Sequence, residues 1–296
     1  MRKFGTFIFA FLACCRLASA QIYDDAQAHA IVLQGTPQDV YKLVKSGYDL
    51  DRVYQCQTLL TTAIKSAAEN LAVNDHPEYA LEKIKILLNN GANYNQEGCP
   101  NKSLRPIFWA ISLPLLLQQT ENELNETLDK NIKEGTDYCD IPKIVSKPCA
   151  QITSEEREQI RKYFQESTLE SIKVLNPHFS EIVKLLIKRG VDLTKTDERG
   201  QTVLHYAAAM PKEITTEPLK ILLDKGIFVD PLNPEKHTPL FFAYGAQNKD
   251  AVNLLLDAGA DPTMVDIDGI LPDKSKSVTL ERSSHEDNSI SIHLEN

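Results

Sequence analysis

The sequence predicts an all-α solenoid: helix-turn-helix units with short β-turn fingers, interrupted by a helical insertion. Three observations carry this. Leucine-rich segments of helical spacing each run into a glycine and an exit rich in Asp and Asn. Those glycines recur after 36 residues from Gly190 to Gly226 and after 33 from Gly226 to Gly259. Between them, short segments open on Thr or Arg, with an apolar residue two places on and Ala five places on. A fixed period of this size marks stacked units, each burying its apolar face only against its neighbours.

In chain order, Ala26–Leu33 reads as a small-residue helix, Gly35-Thr36-Pro37 as a turn, and Asp39–Lys45 as a helix with Val40, Leu43 and Val44 on one face. Gly47 ends it, because glycine enters the left-handed conformation without steric cost. The exit Gly47-Tyr48-Asp49-Leu50-Asp51 returns as Gly91-Ala92-Asn93-Tyr94-Asn95, Gly190-Val191-Asp192-Leu193, Gly226-Ile227-Phe228-Val229-Asp230 and Gly259-Ala260-Asp261-Pro262. The leucine-rich helices before them are Leu81–Asn90, Glu181–Arg189, Pro218–Lys225 and Asp250–Ala258. In the second, Ile182, Leu185 and Leu186 form one apolar stripe at helical spacing.

The opening motif appears as Thr58-Leu59-Leu60-Thr61-Thr62-Ala63, Arg105-Pro106-Ile107-Phe108-Trp109-Ala110, Thr202-Val203-Leu204-His205-Tyr206-Ala207 and Thr238-Pro239-Leu240-Phe241-Phe242-Ala243. Threonine bonds nearby backbone at a helix start, proline suits the first turn, and alanine lets a neighbouring helix approach closely. The chain resembles the ankyrin-repeat family, whose signature is T-P-L-H-x-A in a unit of about 33 residues. The resemblance covers residues 24–112 and 180–273 and implies an array over 21–272 of about five units, degenerate at both ends. It also implies that His205 ties adjacent turns by hydrogen bonds and has no catalytic role. Asp266–Pro272 begins a further unit that stays unfinished. Asp266, Asp268 and Gly269 suggest a calcium loop, but a third carboxylate and a distal Glu are missing, so a turn is expected.

Between Arg105 and Thr202 no intermediate unit is recognisable, which places an insertion at about residues 113–179. Leu116, Leu124, Leu128 and Ile132 read as one amphipathic helix. Thr153-Ser154-Glu155-Glu156 is a capping box for a second, with Ile160, Phe164, Ile172 and Leu175. Gly135–Gln151 is expected to be a loop. Residues 273–296 are polar and expected to be disordered, although Ile290, Ile292 and Leu294 alternate like a strand.

Residues 1–20 have the layout of a secretory signal peptide: Arg2 and Lys3, apolar Phe4–Ala13, then Ala18-Ser19-Ala20 as cleavage site. A rival reading takes Phe11-Leu12-Ala13-Cys14 as a lipid-attachment box, for which Phe11 is a poor fit. An exported bacterial chain, periplasmic or extracellular, is therefore expected. Cleavage moves the formal charge from -9 to -12, because it removes three basic side chains and no acidic one. Such a chain repels nucleic acid and anionic membranes and favours a basic protein partner. No later apolar run reaches membrane-spanning length.

The mature chain keeps Cys56, Cys99, Cys139 and Cys149, an even number that suggests two disulfides in an exported protein. Because neighbouring turns of a stacked array lie side by side, 56–99 with 139–149 is favoured; a bond from Cys99 to an insertion cysteine is the alternative. The short 139–149 loop would gain roughly 2–3 kcal/mol from closure.

Reactive motifs are missing. The seven histidines are scattered, and neither a phosphate-cradling glycine loop nor a nucleophile elbow occurs. Asn101-Lys102-Ser103 and Asn125-Glu126-Thr127 are glycosylation sequons. The expected function is a non-enzymatic, monomeric protein-binding module without cofactor or metal: an inhibitor, immunity or protective protein, or a secreted effector that binds a host protein. Position in the turns selects Tyr54, Tyr94, Asn95, Lys195, Arg199, Asn233, Glu235, Lys236 and Asp268 as contact residues. The competing reading is an enzyme with a site around Asp137, Asp140 and Glu155–Glu158; convergence of those carboxylates in one pocket would favour it.

Overall fold

The computed structural model describes residues 23–69, 78–99, 105–135, 138–141, 144–212, 214, 216–282 and 290–294. The expected signal peptide therefore lies outside the described residues. Helix pairs follow one another: α1 (Asp25–Gln34) with α2 (Pro37–Lys45), α3 (Leu59–Glu69) with α4 (Glu78–Asn89), and α5 (Pro106–Glu134) with α6 (Ser154–Lys188). Then come α7 (Val203–Ala208) with α8 (Glu217–Leu223) and α9 (Pro239–Gly245) with α10 (Lys249–Asp257). The first helices pack in a row, α1 on α3, α3 on α5, α5 on α7 and α7 on α9, and the second helices pack in a parallel row. This is the expected all-α solenoid.

The two rows differ because their burial differs. Every residue of α7 is buried, as are Ile107–Leu115 in α5. Such helices form an inner layer between neighbours. At the fifth motif position Ala63, Ala110, Ala207 and Ala243 are all fully or almost fully buried, so adjacent backbones meet without an intervening side chain. The second helices keep one apolar face, as Ile84, Leu87 and Leu88 do in α4. Capping boxes start several helices: Thr36 with Asp39, and Thr153 with Glu156. The exits use left-handed glycines such as Gly190 at φ 86°.

The insertion is no separate body. Its expected boundaries at 113 and 179 both fall inside continuous helices, because α5 and α6 are one unit's two helices drawn out to 29 and 35 residues. At about 1.5 Å per residue they run roughly 44 and 52 Å. The expected loop between them instead holds an antiparallel hairpin, β1 (Tyr138–Ile141) with β2 (Val145–Pro148). The arm's tip has its own small core of Leu128, Cys139, Val145, Cys149 and Ile160, distinct from the array core.

One expected stripe residue is misplaced. Leu124 is 46% exposed, whereas Leu128 is buried. Residues spaced by four drift about 40° per step around a 3.6-residue helix, so Leu124 and Ile132 lie on opposite sides of Leu128, and the tip core takes Leu128 and Ile132. The seam beside it is polar, with Asp129 bonded to Arg157 at 2.7 Å and Arg161 at 2.6 Å.

The expected disorder of residues 273–296 is corrected for residues 273–282 and 290–294, the part of the tail that is described. After a short 3-10 turn at Pro272–Lys274, β3 (Val278–Arg282) pairs antiparallel with β4 (Ile290–Leu294), Val278 opposite Leu294. A lone two-stranded hairpin is marginal in water, but this one buries Ile292 and Leu294 against the array core. Among the described residues no helix is long and apolar enough to cross a membrane.

Cys56 is bonded to Cys99, with Cα atoms 4.7 Å apart, and Cys139 to Cys149 at 5.0 Å. Cys56 follows Gln55 in a two-residue turn between Tyr54 and Gln57, at φ 57° and 48° respectively. Gly or Asn usually fill such a turn. Here a covalent bond holds it, and Gly98 presses so close that a Cβ would lie 1.7 Å from the Cys56 carbonyl oxygen. The bond spans 43 residues, for which loop entropy supplies about 4 kcal/mol. Cys99→Ser is therefore expected to lower the urea-unfolding free energy by about 2–4 kcal/mol, and an unchanged midpoint would refute this role.

Candidate functional site

Three fingers are each built on one Asp or Asn that folds the backbone back on itself. Asp197 accepts the Arg199 and Gln201 amides on Oδ1 at 3.0 and 2.7 Å, and the Tyr206 hydroxyl on Oδ2 at 2.8 Å. Asn233 accepts the His237 amide at 2.8 Å, and Asp266 accepts those of Asp268 and Ile270 at 2.9 and 2.8 Å. The fourth finger position is left-handed each time: Gly200, Lys236 and Gly269, at φ 73°, 61° and 77°. The finger scaffold is constant while its tip varies.

This geometry sorts the expected contact residues. Glu235, Lys236 and Asp268 are exposed at tips, and Arg199 is half-buried there. Lys195 is exposed 3.6 Å from Asp192. Tyr54 is half-buried against the His29 ring, with centroids 5.4 Å apart, and Tyr94 packs on the array core. Asn233 is a correction: it is 6% exposed and closes its own turn, so it is a strut and offers no contact surface.

Asn95 is likewise engaged, and it reveals a pattern that turn position alone misses. Its Oδ1 accepts the Asp192 amide of the next unit at 2.9 Å. Asp51 accepts the Asn93 amide at 2.7 Å and Asp230 the Asp261 amide at 3.1 Å in the same way. The donor lies two residues after its exit glycine and the acceptor four, so the exits form a ladder along the array. One rung differs. Phe228 stands where the other exits carry Asp or Asn, and Phe228 is 73% exposed. Leu232 and Ile267 are exposed on the adjacent fingers. The sequence signal for this apolar patch was the break in the Asx pattern at Phe228.

His205 stands between units. Its Nδ1 accepts the Thr202 amide at 3.0 Å, which leaves Nε2–H to donate to the His237 carbonyl at 3.1 Å. Burial pushes its pKa down to about 4, so the ring is neutral at pH 7.

Of the carboxylates considered for an enzyme, Glu155 and Glu158 are exposed, while Glu156 caps α6 and bonds Lys147 at 2.6 Å. Asp137 and the Asp140 side chain lie outside the described residues. Among the described residues no group of three or more His, Cys, Asp or Glu is arranged to hold a metal ion. Asn125 of the second sequon sits within α5 with its Oδ1 buried, a poor position for a glycan. The first sequon, at Asn101, lies outside the described residues.

Comparison with known proteins agrees with this geometry. A family model described as ankyrin repeats, in three copies, matches residues 171–266. Human palmitoyltransferase ZDHHC13 is 31% identical over 114 residues, 38% of this chain and 18% of that protein. Inversin from Danio rerio is 39% identical over 62 residues, 20% of this chain and 6% of that protein. The putative ankyrin repeat protein FPV023 of fowlpox virus (strain NVSL) is 24% identical over 239 residues, 77% of this chain and 50% of that protein. The chain thus spans under a fifth of the palmitoyltransferase, and that match lies in the ankyrin region. These relatives are eukaryotic and viral. Residues 171–266 thus carry ankyrin repeats, a type of repeat that implies a protein–protein interaction module.

Asp230 offers a test of the ladder. Burial raises its pKa above the ordinary 3.8, and its Oδ1 has no hydrogen-bond partner among the described residues. Asn95 fills the equivalent place without charge. Asp230→Asn is expected to keep the rung and to be neutral or stabilising at pH 7, while Asp230→Ala loses about 1 kcal/mol. The folded wild type holds this proton longer than the unfolded chain. Its Asp230 therefore costs stability as pH rises above 3.8 through the raised folded value. Urea titrations of both variants across that range check it; an Asn variant weaker than wild type at pH 7 contradicts the assignment.

Proposed function

We propose that this chain is an exported, non-enzymatic binding module that neutralises or protects a protein partner, as an inhibitor, immunity or protective protein. The observation that carries this reading is the finger row: one conserved hydrogen-bonding scaffold displays tips that differ in charge and apolarity, from Arg199 through Glu235 and Lys236 to Ile267 and Asp268. Rigid loops with variable tips suit recognition, because the ordering entropy is already spent before binding. The exposed Phe228, Leu232 and Ile267 supply apolar anchors of the kind that dominate interface energies. The net charge of -9, or -12 after cleavage, favours a basic partner.

The tip residues can be tested directly. The tagged full-length chain, incubated with the periplasmic or culture fluid of its source, is expected to retain a stoichiometric protein. Phe228→Ser with Glu235→Lys should weaken that retention at least about tenfold, the effect of losing a hot spot of about 1.4 kcal/mol or more. Retention indifferent to both substitutions, or no retained protein, would sink the finger reading.

Export is supported by the leader-like residues 1–20 and by the two paired cysteine sets, which persist in an oxidising compartment. Mass spectrometry of the chain recovered outside the cytoplasm is expected to find Gln21 as the first residue. An intact Met1 or a lipidated Cys14 there would replace this proposal.

A further inference from the structure

The C-terminal hairpin lies on the inner helices. Strand β4 rests on α9 and α5. Ile292 is fully buried, and Gln201 of the fourth unit donates its side-chain amide to the Ile292 carbonyl at 2.9 Å, away from solvent. Upstream, the Ser275 hydroxyl donates to the Phe241 carbonyl at 3.0 Å. Gly245, at the end of α9, permits this approach. A Cβ there would stand 2.5 Å from the Lys276 carbonyl oxygen and 2.6 Å from Leu294 Cδ2. The hairpin does not fill the space. A cavity of about 470 Å³ remains between β3, the ends of α7 and α9, and Gln118 and Asn122 of the long α5 arm.

These contacts are those of a docked ligand. A two-stranded hairpin has little stability of its own and depends on the surface it meets. Its anchors are two alternate apolar side chains and one backbone carbonyl, a pattern that any extended segment of similar sequence presents. Tethering supplies an effective concentration on the order of millimolar. An intrinsic affinity far weaker than that of a typical partner therefore keeps the surface occupied.

We propose that the inner face of units three to five is a strand-receiving groove whose resident occupant is the chain's own hairpin. A partner enters by displacing it with an extended segment that carries apolar residues at alternate positions. The inference rests on the protein-binding reading and adds the groove, its occupant and the chemistry of the competing segment. Fingers and groove then act in sequence: tips meet the partner first, and the inner face opens only to a segment that outcompetes β4.

The test uses full-length chains and a dye-labelled synthetic peptide with the sequence of residues 274–296. The double variant Ile292→Asp, Leu294→Asp releases the resident hairpin and leaves the groove unchanged. Anisotropy titrations are expected to show the peptide binding this variant at least about tenfold more tightly than wild type, where the tethered hairpin competes. Equal binding to both overturns the proposal. So does no binding to a variant of native circular dichroism and melting temperature, at peptide concentrations up to about 1 mM.

A second variant approaches from the groove side. Gly245→Val places side-chain atoms where Lys276 and Leu294 now sit. It is expected to speed amide exchange in residues 290–294 at least about tenfold while α7 and α9 stay protected. Unchanged exchange in 290–294 overturns the proposal. A partner retained through the fingers while the peptide tests fail leaves the protein-binding reading standing and removes only this one.

Discussion

Close approach of the inner helices is the constraint from which the rest follows. A helix as short as α7 has little stability by itself, since nucleation fixes several residues before propagation adds bonds. Burial on both sides stabilises it, and burial on both sides requires small residues where backbones meet. Ala63, Ala110, Ala207 and Ala243 meet that need. The larger residues between them, Trp109, Tyr206, Phe241 and Phe242, fill the remaining volume and are almost fully buried. The edge-on contact of Phe108 with Tyr206, at 5.3 Å between centroids, joins the unit that bears the long arm to the next.

Stacked helices bring their exits side by side, and polar chemistry there fixes the spacing. Asp51, Asn95 and Asp230 each accept a backbone amide from the following unit, while His205 reaches across to the His237 carbonyl. Such bonds are modest individually, about 1 kcal/mol, but they also satisfy backbone donors at each turn that would otherwise meet no partner. The Gly190 exit carries Thr194 at the acceptor place that Asp51, Asn95 and Asp230 fill in theirs, and in the next exit Phe228 exposes an aromatic ring.

The two departures from regular repetition, the arm and the tail, meet on the same helix. The inner part of α5 belongs to the array, its outer part carries the disulfide-closed tip, and β4 rests along it. An arm built by extending existing helices needs no new boundary. Level with the tip core, Asp129 pairs with Arg157 and Arg161 and so ties the two helices of the arm together. Placed beside the groove, Gln118 and Asn122 of that arm extend the surface that the tail covers.

By itself the sequence determined the unit. Glycine exits, the motif around Thr202 and Thr238, and leucine stripes at helical spacing are local signals, because each reports the conformation of its own few residues. They sufficed for the solenoid, for His205 as a strut, and for a strand-like alternation at Ile290, Ile292 and Leu294. What only the tertiary structure decided depends on contacts between distant residues. No local pattern says that Asn233 and Asn95 bond inward while Glu235 and Asp268 face out, since all four are polar turn residues. Likewise, a polar tail reads as disordered until Gln201 and Gly245, more than forty residues before β4, present a surface on which two isolated strands become stable. Long-range burial made that choice, and burial is a property of the assembled stack.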